Sequence, residues 1–121
     1  MKPTLQAFLP LGLWAAAVLV VGAVDFGAFP GTLPRRSDKL AHFILYGVGG
    51  ALAAWAGRVR GGRAGLVGVL VVLLTGVVDE LRQATVPHRD ADIMDWVADG
   101  AGALVAYFLA RRLLSNGMDD V

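Results

Sequence analysis

Ten carboxylates, two histidines and two tyrosines are the groups in this chain that could carry chemistry, and several fall at helical spacing. Asp38, His42 and Tyr46 recur at i, i+4 and i+8, which puts a carboxylate, an imidazole and a phenol on one helix face. Asp79 and Gln83 stand four apart with Glu80 beside them, and Asp92, Asp95 and Asp99 form one stripe that continues through Gly102 and Ala106. A carboxylate one turn from an imidazole can orient and charge it. One histidine among several carboxylates can serve as a general base, or suit a hard or borderline divalent cation. The chain contains no HExxH and no EF-hand loop, so no metal ligand set is fixed by motif. Without cysteine there is neither a disulfide framework nor a thiol nucleophile. Ser37 and Ser115 stand at expected helix ends, and Gly47-Val48-Gly49-Gly50 falls in mid-helix, where it reads as close helix contact and not as a phosphate loop.

The elements that must position these groups are membrane helices. Of the 121 residues 56% are hydrophobic and 17% charged, with a mean hydropathy of +0.61. Soluble domains run nearer 45–50% apolar and about 25% charged, so the chain is too apolar for that class and disorder is excluded. A soluble four-helix bundle would explain a weak fourth segment but not the first and third. Spacing and breakers predict helices over about 5–24, 38–57, 64–86 and 93–114, in one domain covering 1–121. Ser37 and Asp38 are N-cap candidates, the 58–63 segment reads as a short basic turn, and Pro87 reads as a stop. The first segment is too long for a usual signal-peptide core and lacks a clear cleavage site, so it is expected to stay as an anchor. The fourth is the weakest span, because only residues 100–110 lack charge without interruption. The expected class is all-α: an integral membrane four-helix bundle.

Charge sets the expected orientation. One side collects Lys2, Arg58, Arg60, Arg63, Arg111 and Arg112; the other holds eight of the ten acids with Arg35, Arg36, Lys39, Arg82 and Arg89. The turn at 58–63 has three arginines and no acid, which predicts cytoplasmic N- and C-termini. At about 1.5 Å per residue, Asp79 and Asp99 then lie roughly 10 Å inside their helix ends. Ionisable groups at that depth mark a functional site by default. A purely structural account also exists: Arg89, Arg82 and Lys39 could pair with Asp95, Glu80 and Asp79 and lock the helices together. Asp90 reads as a solvated loop charge, and Trp14, Trp55 and Trp96 as aromatic anchors near interfaces or helix ends. The ladder Ala98, Gly102, Ala106, Ala110 reads as a close-packing seam.

Asp38-Lys39-x-x-His42-x-x-x-Tyr46, then Asp79-Glu80-x-x-Gln83 with Pro87-x-Arg89, then Asp95 and Gly102, resemble the pattern of the VanZ-like family over about residues 38–106. The resemblance implies a small bacterial membrane protein of several helices. The family's founding member accompanies glycopeptide-resistance genes and is associated with low-level teicoplanin resistance. His88 and Asp99 depart from the pattern, since many relatives carry Gly and Asn there.

Together these readings predict an outward-facing polar cavity between the second, third and fourth helices. Its ligand-binding candidates are Asp38, His42, Tyr46, Asp79, Glu80, Gln83, Arg89, Asp95 and Asp99. Three uses remain open. The first is binding of an envelope lipid or lipid-linked cell-wall intermediate, with Arg89 meeting phosphate and the acids meeting an amine. The second is an envelope enzyme with His42 or Glu80 as base, assisted by a carboxylate-held cation. The third is a structural or assembly module, with a membrane protein partner or a second copy of the chain. A transporter is disfavoured because no charged path continues to the far side. No organic cofactor is expected, a divalent cation at the acidic cluster is the one inorganic group that would fit, and nothing supports nucleic-acid binding. The expected location is the bacterial cytoplasmic (inner) membrane, as a multi-pass protein.

Overall fold

The computed structural model describes residues 2–22, 35–85 and 93–119, without the side chains of Pro3, 35–39 and 116–119. These residues form α1 (Pro3–Gly22), α2 (Arg35–Arg60), α3 (Gly62–Gln83) and α4 (Ile93–Asp119), and no strand is found among them. Each helix contains a stretch long and apolar enough to cross a bilayer: Thr4–Gly22, Leu40–Arg60, Gly62–Gln83 and Ile93–Ser115. The fourth is the least hydropathic at 1.3, in line with the interruption by Asp95 and Asp99. Leucines 5, 13, 40, 66, 70, 74, 81, 109 and 113 point outward. An apolar exterior, with His42, Thr75, Asp79, Gln83, Asp95 and Asp99 kept inside, is the arrangement that hydrocarbon solvent selects.

Helix boundaries differ from the expected ones in an instructive way. α2 begins at Arg35, before Ser37 and Asp38, and runs through Arg60, so the basic turn shrinks to Gly61. Gly61 adopts φ +102°, a left-handed conformation that glycine reaches without a Cβ clash. Arg58 and Arg60 stay helical because long cationic side chains reach the interface from within the last turn, where they also complement the helix dipole. α4 likewise continues past Leu114 to Asp119. α3 stops at Gln83, short of Val86, because Thr85 turns back: both its amide and its hydroxyl donate to the Arg82 carbonyl. Asp79 therefore lies one turn, about 6 Å, from the end of α3, shallower than expected.

α2 packs against all three other helices, most extensively against α4, whereas α1 and α4 share no interface among the described residues. The α2–α4 seam is made by glycine. A Cβ on Gly102 would run into the Phe43 backbone, and one on Gly50 into the Ala103 backbone. Gly47 faces Ala106, while Gly49 makes room for the Trp14 ring. The mid-helix glycine run thus opens α2 toward two neighbours, as the close-contact reading expected. Leu11, Trp14, Val18, Tyr46, Val72 and Ala103 form one core cluster, and Ala53, Ala54, Val69 and Tyr107 a second. Trp14 is a core residue and not an interfacial anchor: it is buried, its indole N–H donates to the Leu45 carbonyl at 3.0 Å, and it meets Tyr46 edge-on. Trp55 and Trp96 remain part-exposed.

Small residues dominate the seam because lipid tails give helices no hydrophobic reason to associate, leaving close van der Waals contact to do so. Gly102→Val should therefore cost about 1–3 kcal/mol by overpacking. Gly12→Val, at a position with nothing within 4 Å of an added Cβ, should cost far less. Unfolding in mild detergent titrated with SDS checks this, and equal stability of the two variants would remove the close approach.

Candidate functional site

α2 and α4 meet first through a hydrogen-bonded pair. His42 Nδ1 lies 2.6 Å from Asp99 Oδ1, and both residues are buried. One turn along α2, Tyr46 is fully buried with its ring parallel to that of His42, centroids 6.2 Å apart. The expected i, i+4 face of α2 is thus realised at His42 and Tyr46, and the structure adds Trp14 as the wall below them. Asp38 lies in the first turn of α2, with its side chain outside the described residues.

α3 contributes the second group. Gln83 Nε2 donates to Asp79 Oδ2 at 3.0 Å, across one turn of the helix. Both residues are buried, and Glu80 beside them is half-buried. His42, Glu80 and Asp99 each offer a ligand atom, and the three atoms lie within 4.8 Å of one another. They are the set that could close on a divalent cation, one imidazole nitrogen and two carboxylate oxygens from three helices. Asp95 is buried one turn before Asp99 on α4, and Asp79 and Asp95 both stand near enough to act on Asp99 through their charges. Seven of the nine candidates thus converge: His42, Tyr46, Asp79, Glu80, Gln83, Asp95 and Asp99. Arg89, with Asp90 and Asp92, lies outside the described residues.

Tyr46 Oη and Asp99 Oδ2, both in this layer, are buried without a hydrogen bond among the described residues. Asp99 Oδ2 and Tyr46 Cε1 both point at Gly76 of α3, each 3.4 Å from where a Cβ would stand. Gly76 therefore lets α3 close over the phenol and the carboxylate. Arg82, which the structural account would pair with a carboxylate, instead donates from Nη1 to the Leu19 carbonyl of α1 at 3.1 Å. Gly22, the last residue of α1, sits so close to Asp79 that a Cβ there would collide with the carboxylate. α1 thus belongs to the site, which the sequence reading confined to the other three helices. Trp14, Gly22 and Gly76 are the additions. Nothing local in the sequence signalled these three.

The arrangement is a polar layer whose ionisable side chains come from three helices, walled by aromatic rings and closed by glycines. Such a layer can fix helix register, hold a cation, or accept the ammonium or hydroxyl groups of a ligand. Replacing Asp99 by leucine should leave the His42 imidazole buried without its acceptor and cost about 3 kcal/mol. Asp99→Asn keeps an acceptor and should cost well under half as much. SDS-titrated unfolding reads both, and equal losses would mean that the pair contributes only volume.

A family model described as VanZ/LLP1 matches residues 5–115, nearly the whole chain. No curated protein and no solved structure matches it.

Proposed function

The chain belongs to the VanZ-like family, and we propose that it is a multi-pass protein of the bacterial cytoplasmic membrane that binds an envelope lipid or lipid-linked cell-wall intermediate at its buried polar layer. The observation that carries this reading is the pair of buried atoms, Tyr46 Oη and Asp99 Oδ2, left without a hydrogen bond among the described residues. Polar groups inside hydrocarbon are expensive unless satisfied, so a donor and an acceptor left over beside Asp79, Glu80 and Asp95 favour a ligand that satisfies them. The open Asp99 oxygen favours a cationic group, either a primary ammonium or a divalent ion held by His42, Glu80 and Asp99. On this reading Arg89, two residues past Pro87, meets the phosphate of the same ligand. A contribution to glycopeptide tolerance would follow from capture of a cell-wall intermediate, and it is the family-level form of the proposal.

A second reading has its own support. The 2.6 Å His42–Asp99 contact and the Arg82–Leu19 bond tie helices together whether or not anything binds, as a structural module requires. Native mass spectrometry of the chain in mild detergent separates the two, beside Glu80→Gln and Arg89→Ala variants matched for thermal stability. A discrete lipid or metal adduct on the parent chain, lost in both variants, is the expected result. Three bare and equally folded proteins would sink the ligand reading in favour of the helix lock.

The proposed orientation places both termini in the cytoplasm, supported by Arg58, Arg60, Arg63, Arg111 and Arg112 at one end of the bundle. The chain has no cysteine, so single thiols report cleanly. Thr85→Cys should react with a membrane-impermeant maleimide in intact cells, or in spheroplasts if there is an outer membrane, and Arg63→Cys only after permeabilisation. The reverse pattern would invert the topology.

A further inference from the structure

At the end of the bundle opposite the polar layer, a cavity of about 270 Å³ opens between the end of α2, the start of α3 and the end of α4. Its polar lining is Arg58, Tyr107, Arg111 and Ser115, with Gly57 and Gly62 on its walls, and no lining residue is acidic. Arg58 Nη1 donates to the Leu114 carbonyl, which fixes one edge of its guanidinium and leaves the other donors of the fork available. Arg111 is exposed, and its guanidinium makes no hydrogen bond among the described residues. The Tyr107 hydroxyl lies against the first turn of α3, 2.8 Å from where a Cβ on Gly65 would stand. Gly61 precedes α3 without any side-chain cap; the Ala64 and Gly65 amides donate to its carbonyl, and the Gly62 and Arg63 amides at the start of α3 add further donors at the same place.

We propose that this cavity binds the phosphodiester of an anionic phospholipid from the leaflet at the Arg58 end. Two guanidinium forks with two hydroxyls are the donor set that recognises a phosphate, and arginine matches it in bidentate geometry. The volume lies below the range of sites that enclose a whole drug-sized molecule, and suits a headgroup whose chains remain outside. Exposed Val59 and Leu113 adjoin Arg58 and Leu114 in sequence and give acyl chains an apolar surface, which favours a lipid over free phosphate. Basic pockets between transmembrane helices are known to take anionic headgroups on this physical basis. The site is independent of the His42–Asp99 layer, and neither proposal needs the other.

Nanodiscs of phosphatidylglycerol mixed with phosphatidylcholine, followed by native mass spectrometry, test it. The parent chain should retain phosphatidylglycerol preferentially. Gly62→Leu adds bulk at the cavity wall without altering charge, at a position where an added Cβ collides with nothing. It should lower that retention on the order of ten-fold, and Arg111→Gln at least as much. Arg63→Gln removes a nearby charge that does not line the cavity and should show only the diffuse effect of one arginine, roughly five-fold at most. Undiminished retention in Gly62→Leu, or an Arg63→Gln loss equal to that of Arg111→Gln, would overturn the proposal in favour of diffuse attraction. Displacement of the lipid by millimolar inorganic phosphate would also overturn it, by assigning the cavity to the free ion. Should Gly62→Leu fold poorly, the comparison of exposed Arg111 with exposed Arg63 decides alone.

Discussion

With no Cβ at Gly102 or Gly50, the backbones of α2 and α4 meet at two levels, Phe43 against Gly102 and Gly50 against Ala103. That approach sets the register of the whole bundle. His42 precedes Phe43 by one residue and Asp99 precedes Gly102 by three, so the contact that brings the backbones together also delivers the imidazole to the carboxylate. The two effects reinforce each other. Close approach excludes lipid from the pair, and a medium of low dielectric makes the paired state far better than the separated one. A slide of α4 by one residue along α2 would break both the glycine contacts and the hydrogen bond, so neither feature can drift without the other.

The remaining helices are placed by what this seam leaves exposed. Tyr46, one turn below His42, presents a large ring that must be covered, and Trp14 of α1 covers it edge-on while its N–H finds the Leu45 carbonyl. Gly49 and Gly76 are the concessions that let α1 and α3 come near enough, the first beneath the indole and the second beside the phenol and Asp99. At its far end α1 is tied to α3 by the Arg82–Leu19 bond, with Gly22 giving Asp79 room. The first helix is therefore a structural member of the polar layer although it contributes no ionisable side chain to it.

Much of this was legible in the residues because it depends on local period. The four spans follow from the length of apolar runs, and the His42–Tyr46 face, the Asp79–Gln83 pair and the glycine seam from spacings of three and four within one helix. What escaped the sequence is what depends on which helix lies opposite. Trp14 reads equally well as an anchor at a lipid surface or as a wall for a buried tyrosine, and only the presence of Gly49 across the interface decides. Arg82 has carboxylates nearer in sequence than the Leu19 carbonyl it meets. The helix ends were missed for a different reason. Arginine can remain helical while its charge reaches water, so a basic segment such as 58–60 does not mark the end of a helix as it would the end of an apolar run.

The two charged ends also fix the depth of the polar layer. Eighteen residues separate His42 from Arg60 along α2, about 27 Å at helical rise, and sixteen separate Asp79 from Arg63 along α3, about 24 Å. With the arginines held at one headgroup level, a hydrocarbon thickness of about 30 Å puts His42 and Asp79 a few ångströms inside the opposite boundary. Burial there costs much less than burial at the midplane, because thinning and water penetration grow toward the interface. The arginine end thus acts as an anchor for the acidic end. A chain with the same polar residues and no basic cluster could sink or rise to relieve them, whereas this one holds His42, Asp79 and Asp99 at a depth where they are screened from water and still close to it.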